Sequence, residues 1–515
     1  VRIAVFNEHW ETYGGGEQFA GGIAQALSLH HDVDVLTHGE LDPVLLESRL
    51  GLDLSRTRER VVSKREFEFI RDTAEYDLLV NCSFMSHMPN GARHGLYVVH
   101  FPSRRGGMSG RARARALRTA VRRSRLEEIV IHDAAGLHPL EADGRSRWTE
   151  RKAQIELFVP AGEEVALELS LSSRHWPIGS RPQVTVTLDA EPLFDAEIDR
   201  LEPVTVTAPV KGRGRYDSIV LTIESDFFVP SEEFGTADPR ELGILIQDLS
   251  VGSRRLAISK RWRRARAFEA RPLGYLQTYD VIASNSSYTQ RWVREWWARE
   301  SEILYPPVKL RERAEKDRII LGVGRFFGSH VGHSKKQLEL VRAFRSLCRE
   351  GVGDWTLHLA GGCSEEGRGY LDEVRRASTG LPVRFHVNAT GADLRQLFAR
   401  ASIFWHATGL RENAERNPDR LEHFGISIVE AMSAGAVPVV FGKGGPAEIV
   451  HHGREGVHFS SKRELVDRTL TLIRDPKLLQ AMSTAAQHRA DDFGFEEFSK
   501  RIEALVQRVV LPVNR

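Results

Sequence analysis

The chain has 515 residues, 41% of them hydrophobic and 28% charged, with 72 Lys and Arg against 70 Asp and Glu and a net charge of +2. This is a globular composition of a length for two to four domains. No apolar run reaches the length of a membrane span, no leader pattern points to secretion, and Cys82, Cys348 and Cys363 lie too far apart for a zinc spacing or an obvious disulfide frame, so a reducing cytoplasm is the expected setting.

The charge is unevenly spread. Residues 104–125 hold nine arginines and no acid, whereas residues 127–252 hold 24 acidic and 11 basic residues.

In chain order, "RIAVFN" reads as a short buried strand, "GGGE" (Gly14–Glu17) as a turn, and "QFAGGIAQALSLH" as a helix. "DVDVLT", "YDLLVNCS" and "GLYVVHFP" read as further buried strands. Short apolar strands alternating with helices predict a parallel sheet covered on both faces. From about 127 the text changes to period two, in "AQIELFV", "EVALELSLS", "QVTVTLDA", "PVTVTAPV", "SIVLTIES" and "GILIQDLSV". Turn residues separate these runs, which predicts an antiparallel β-sandwich. It is an insertion, because α/β text resumes with "YDVIASNSSYTQRWVREWW". After the linker "LYPPV", the runs "RIILGVGRF", "DWTLHLAGG", "LPVRFHVN", "ASIFWHAT" and "AVPVVFG" predict a second parallel sheet, with helices such as "KKQLELVRAFRSLCRE" between them.

The expected fold class is therefore α/β: two doubly wound Rossmann-like domains plus an inserted antiparallel sandwich. The expected boundaries are 1–126 and 254–305 for the first domain and 127–253 for the insertion. The second domain spans 306–490, and a last helix, 491–515, crosses back onto the first. Such sheets bind ligands at the carboxyl ends of their strands, which places a cleft between the facing loops of the two units.

The chemistry-bearing segment is "LEHFGISIVEAMSAGAVPVVFGKGGPAEIV", residues 421–450. It sets Glu422 before the Phe424-Gly425 turn, and Glu430 a little over one turn into the helix that follows. Carboxylates at a helix amino end accept hydroxyl protons, and the free N–H groups there suit phosphate. Together they suit a sugar nucleotide; the bland alternative is a capped helix with solvated glutamates. Arg325 at a strand end, and Lys335 at the expected start of the next helix, can clamp a diphosphate through charge-assisted bonds. Gly14, Gly15 and Gly16 would let backbone approach a phosphate from across the cleft. "DVD" at Asp32–Asp34 has the look of a metal-binding triplet but sits inside an apolar strand, so no metal site is expected.

These residues resemble the family-four retaining glycosyltransferases of the GT-B fold. The resemblance covers residues 1–126 and 254–515. Its most specific element is the pair of glutamates with seven residues between them, Glu422 and Glu430, in the context "HFGISIVEAMSAG". "VGR" at Val323–Arg325 and the lysine of "SKKQLELVRAF" match the donor-diphosphate pair, "VVHFP" brings His100 to an active-site histidine position, and "ASNSSYT" is similar to the segment that closes the first domain. "VHFP" and "EHFGI" also resemble the mannosyltransferases that extend lipid-linked oligosaccharides. Lys336 stands where a glycine is common in the family, and the insertion lies outside its usual fold.

The resemblance implies transfer of a sugar from a UDP- or GDP-linked donor, with retained configuration, to a glycan, lipid-linked or small-molecule hydroxyl acceptor. It implies that Glu430 binds the donor ribose and Glu422 the transferred sugar. Backbone around Phe424, Gly425 and Ile426 holds that sugar, Arg325 and Lys335 stabilise the leaving diphosphate, and His100 contacts the sugar from the acceptor side. The nucleotide sugar is a substrate; no cofactor, metal or nucleic acid is expected. The alternatives are a non-catalytic glycan-binding protein and a GT-B phosphorylase. The arginine-rich segments 103–125 and 259–271 are expected either to form solvated faces, to contact an anionic membrane peripherally at its inner face, or to meet an anionic acceptor.

Overall fold

The computed structural model describes residues 1–104, 130–141, 143, 146–160, 164–199, 202–212, 216–252, 254–256, 273–328 and 334–510. Most of the arginine-rich segment 103–125 and all of 259–271 lie outside the described residues. Of the first, Ser103 and Arg104 are described, and the Arg104 guanidinium lies over the Trp296 ring at 5.1 Å.

The N-terminal sheet has seven strands, all parallel. In chain order its first five are β1 (Arg2–Phe6), β2 (Asp32–Thr37), β3 (Arg58–Val61), β4 (Leu78–Asn81) and β5 (His94–Val99). After the insertion, β15 (Val281–Ser284) and β16 (Glu302–Ile303) extend it, giving the spatial order β16-β15-β5-β4-β1-β2-β3. Strand β4 is buried at every position, as a strand covered on both faces must be. One face packs Ile3, Val5, Leu78 and Leu96 under helix α1 (Gly15–Leu27). The other packs Phe6, Phe69 and Tyr97, with Phe69 on helix α3 (Glu66–Thr73); α2 is Pro43–Leu50. Strand order reverses between β1 and β4, so the crevice of this domain opens at the loops following those two strands.

The insertion supplies β6 (Val130–Leu140), β7 (Arg147–Pro160), β8 (Val165–Ser172), β9 (Gln183–Leu188), β10 (Glu191–Glu197), β11 (Val204–Val210), β12 (Tyr216–Ser225), β13 (Leu245–Val251) and β14 (Arg254–Arg255), with antiparallel pairing among the described residues. Strand β11 (Val204–Val210) shows the alternation, with Val206, Ala208 and Val210 buried and Thr205, Thr207 and Pro209 exposed. The expected sandwich takes the form of one hydrogen-bonded path, β10-β9-β12-β7-β13-β8-β11, with β6 paired to β7 and β14 to β13. The two ends of the path, β10 (Glu191–Glu197) and β11, approach each other. The sheet is nearly closed around a core that includes Ile155, Leu157, Leu169, Leu171, Val186 and Leu221. Period two determines which side chains point inward; whether the strands close into one sheet or split into two depends on the pairing partners.

The C-terminal sheet has six parallel strands: β17 (Asp317–Val323), β18 (Thr356–Gly361), β19 (Val383–Val387), β20 (Ala401–His406), β21 (Val437–Phe441) and β22 (Val457–Phe459). Its order is β19-β18-β17-β20-β21-β22, with the reversal between β17 and β20. The segment "ASNSSYT" enters helix α4 (Ser287–Trp297), whose cap Ser286 accepts from the Thr289 amide. Helices α5 (Gln337–Arg349), α6 (Arg368–Ala377), α7 (Gly391–Arg400), α8 (Ile426–Ser433), α9 (Lys462–Arg474) and α10 (Pro476–Asp491) flank the sheet. The last helix, α11 (Phe495–Val510), buries Phe498, Ile502, Leu505, Val506 and Val509 in the same cluster as Phe19 and Ile23 of α1, so the chain finishes on the first domain. No helix among the described residues is long and apolar enough to cross a membrane.

Candidate active site

The two reversal points face each other. A Cβ on Gly15, at the start of α1, would come within 3.2 Å of Cδ1 of Ile426 at the start of α8, so the N-terminal glycine turn touches the C-terminal domain. A Cβ on Gly16 would stand 3.7 Å from Cε1 of His100. Gly14 caps α1, its amide donating to Glu17 at 2.7 Å. His100 follows β5, and its Nε2 lies 2.7 Å from the Cys82 carbonyl oxygen. A carbonyl only accepts, so Nε2 carries the proton and Nδ1 is the acceptor nitrogen. Burial pushes the His100 pKa down, against the upward pull of that carbonyl and of Glu17.

On the C-terminal side, the Glu422 loop is shaped by two glycine turns in contact. Gly425 has φ +116°, a conformation that L side chains rarely adopt, and it caps α8. The second turn lies behind it: the Gly445 amide donates to the Glu422 carbonyl at 2.8 Å, and a Cβ on Gly445 would meet the His423 carbonyl oxygen at 2.4 Å. The Phe424 ring is buried against Tyr305 and Phe493, so Phe424 presents backbone to the cleft.

The two glutamates are held by different cations. Glu422 Oε2 takes Lys335 Nζ at 2.5 Å and His406 Nε2 at 2.8 Å. Glu430, 8% exposed, takes the Arg311 guanidinium through Nε at 3.1 Å and through Nη2, both on Oε1. Burial raises the Glu430 pKa, with Arg311 and then Lys309 opposing it. Lys335 precedes the helix rather than opening it. Helix α5 starts at Gln337, and Lys336 caps it at φ +59° with its ammonium 2.6 Å from Glu412. Arg325 is exposed two residues beyond β17, its guanidinium 5.9 Å from the centroid of the Phe327 ring. No carboxylate among the described residues forms an ion pair with it. The "DVD" carboxylates are engaged structurally: Asp34 accepts from Tyr76 at 2.6 Å and from Arg58 and Arg2, and Asp32 pairs with Arg58.

Several residues at the cleft carry no signal in the sequence reading. Arg311 lies in the polar stretch after the linker, and His406 is the last residue of β20, where only its strand-end position marks it. Glu448 reaches across the domains. Its carboxylate accepts from the Ser287 amide at 2.9 Å, the Tyr288 amide at 3.3 Å and the Ser287 hydroxyl, at the amino end of α4. Burial pushes its pKa up to about 7, against the downward pull of those amides and Arg489. Beside it, Tyr288 donates to the Pro418 carbonyl at 3.0 Å, Arg291 pairs with Glu415 at 3.1 Å, and Phe101 stacks on His423 with ring centroids 4.0 Å apart.

Residues 309–489 match the family model described as Glycosyl transferases group 1. A Dictyostelium discoideum protein named GDP-Man:Man(3)GlcNAc(2)-PP-Dol alpha-1,2-mannosyltransferase is 24% identical over 251 residues, covering 45% of this chain and 47% of that one. The Neurospora crassa alpha-1,3/1,6-mannosyltransferase alg-2 is 24% identical over 277 residues, covering 45% of this chain and 56% of its own. The chain thus spans about half the length of these relatives. Among solved structures, Anabaena Alr3699/HepE in complex with UDP and glucose superposes with a TM-score of 0.51 at 14% identity, over 98% of this chain and 99% of that one. Sucrose-phosphate synthase from Thermosynechococcus elongatus superposes with a TM-score of 0.50 at 13% identity, over 98% of each chain. These neighbours identify the fold as GT-B.

Proposed function

We propose that this chain, which carries a Glycosyl transferases group 1 domain on a GT-B fold, moves a hexosyl group from a nucleoside-diphosphate sugar to a hydroxyl of a glycan acceptor. One juxtaposition carries the reading. Exposed Arg325 and partly buried Lys335 stand at one reversal-point crevice, and Gly14 to Gly16 with His100 stand at the other, across a contact made by Ile426. A diphosphate placed there meets two cations and the amino end of α1, and the sugar beyond it meets the Glu422 loop and His100.

In the proposed reaction the bond from the anomeric carbon to the β-phosphate oxygen breaks and the acceptor oxygen bonds to that carbon. Negative charge grows on the leaving diphosphate, and Arg325 and Lys335, drawn to it when the donor binds, lower that barrier. The acceptor proton passes to a phosphate oxygen on the same face, which retains configuration. Glu430 accepts from the ribose hydroxyls and Glu422 from hydroxyls of the transferred sugar. His100, with Nε2–H committed to a carbonyl, offers Nδ1 as an acceptor to a sugar hydroxyl. No metal enters this scheme, so chelator leaves the rate unchanged.

The finer reading follows the names of the relatives: GDP-mannose as donor and a mannose-bearing, lipid-linked glycan as acceptor. Such an acceptor sits at a bilayer surface, and the arginines of 103–125 supply charge for anionic headgroups. The test is incubation with GDP-mannose, UDP-glucose and other nucleotide sugars, reading released nucleoside diphosphate and then the anomeric configuration of the product by NMR. Release stimulated by an acceptor supports the reading. Absence of release with every donor overturns it in favour of glycan binding, and an inverted product overturns retention. Flotation on anionic against neutral vesicles tests the membrane contact.

A further inference from the structure

We propose that His406 is the permanent partner of Glu422, donating from Nε2 to hold that carboxylate in place while Lys335 leaves it for the donor's diphosphate. The inference rests on the donor reading above and adds a positioning residue to it.

Three observations support it. First, Lys335 Nζ at 2.5 Å and His406 Nε2 at 2.8 Å land on the same carboxylate oxygen of Glu422, Oε2. Two functions are asked of Lys335, since an ammonium that neutralises a diphosphate cannot keep an undivided bond to a carboxylate. The diphosphate, carrying more negative charge than one carboxylate, draws the lysine towards it. When the donor enters and the lysine is drawn away, the His406 bond keeps that oxygen in place.

Second, the two partners differ in freedom. His406 is the last residue of β20, is 3% exposed, and hangs from a central strand through two side-chain torsions. The Lys335 side chain is 21% exposed on a flexible stem. The Thr408 hydroxyl lies 3.2 Å from the same His406 nitrogen, which further restricts the ring.

Third, the ring is suited to constant donation. Nδ1 is buried and has no hydrogen-bond partner among the described residues. A proton there would bury an unpaired N–H on a charged ring, so the neutral form protonated at Nε2 is favoured. Burial likewise pushes the pKa of His406 down, and Lys335 adds to this, with Glu422 pulling the other way. The neutral imidazole donates from Nε2, and it adds no positive charge to compete with the diphosphate for Lys335.

The experiment compares His406→Gln, which keeps an N–H at similar reach, with His406→Leu, which removes it. Turnover is read with whichever of GDP-mannose and UDP-glucose the wild type uses, and GDP and UDP affinities are read by calorimetry. His406→Gln is expected to retain turnover within about threefold with an unaltered pH profile. His406→Leu is expected to lose kcat by about 10- to 100-fold, the range for a hydrogen bond to a charged group, with nucleoside diphosphate affinity moving less than about threefold. In histidine-labelled ¹⁵N NMR, the His406 ring is expected to stay in the Nε2–H form from about pH 5.5 to 8. Its signal is expected to shift in Glu422→Gln and to persist when GDP or UDP is added.

A His406 ring that titrates in that range overturns the inference. So does a Gln variant as damaged as the Leu variant, or an affinity loss equal to the kcat loss. Should the Leu variant fail to fold, the Gln variant and the NMR signal decide. Wild-type turnover in Glu422→Gln would sink the donor reading instead, and the NMR shift in that variant still tests the His406 bond on its own.

Discussion

Replacing Arg311 with Met should destabilise the C-terminal domain in a way that depends on pH. The Arg311 guanidinium makes two bonds to Glu430 Oε1, and the two side chains are only 16% and 11% exposed. The variant leaves a carboxylate in that site with Lys309 as the remaining opposing cation among the described residues. Removing one partner of a buried pair costs about 3–5 kcal/mol if the charge stays. The carboxyl has a cheaper route, which is to take up a proton. From a reference pKa of about 4.3, protonation costs about 3.7 kcal/mol at pH 7 and about 1 kcal/mol at pH 5, and this caps the loss. Glu430 in the variant has its folded pKa above its unfolded one. Its contribution is therefore fully retained below about pH 4.3 and lost as pH rises through the folded pKa. For a domain of this size the midpoint should fall by about 7–15 °C at pH 7 and about 2–4 °C at pH 5. Scanning calorimetry of both proteins at the two pH values measures it. Equal losses at both would show that Arg311 acts through packing alone, and no loss at either would show that the pair contributes nothing. Glu430→Gln, which has no carboxyl to titrate, is the control and should show no such pH dependence.

Three other outcomes follow from the same geometry. Arg325→Ala should leave the melting temperature within about 1 °C, because the side chain is exposed and unpaired among the described residues, yet cut donor turnover by about 100-fold or more; unchanged turnover would remove it from the site. Gly445→Ala should cost about 1–3 kcal/mol and weaken nucleoside diphosphate binding, because its Cβ would stand 2.4 Å from the His423 carbonyl oxygen; a thermal-shift series with GDP and UDP reads both. Glu448, with its pKa raised to about 7 where it meets α4, favours the domain contact below its solvated pKa and loses that advantage as pH rises through about 7. Small-angle scattering across this range should show the domains separating towards high pH, and a Glu448→Gln variant that does not respond; an identical response in the variant would assign the effect to another group.

The alternation of residues determined much of this molecule without reference to its contacts. Runs such as "LLVN" and "VPVVF" are apolar at consecutive positions, which only a sheet covered on both faces accommodates, and they became central strands. "VTVTAPV" alternates, and only a sheet wet on one face accommodates that. Strand β3, "RERV", is polar and lies at the sheet edge, where burial leaves no pattern to read. The sequence also marked Glu422, Glu430, Arg325 and Lys335, because strand ends and helix starts are local features and charged residues there are conspicuous; His100 was marked through the family resemblance of "VVHFP".

What the tertiary structure alone decided is which groups meet. Arg311 and Glu430 are 119 residues apart in the chain, and Glu448 and Ser287 are 161 apart. No local periodicity relates such positions. The Arg311 ion pair needs the linker to pass beside α8, and the Glu448 contact needs the two domains to touch. His406 illustrates the difference most plainly. A histidine ending an apolar strand reads as ordinary core, and it became a partner of Glu422 only because the Gly444-Gly445 turn, on the far side of β21, holds the Glu422 loop over the end of β20. The patterning of apolar residues encodes surfaces to be buried. The pairing of charges depends on where the burial of those surfaces leaves them.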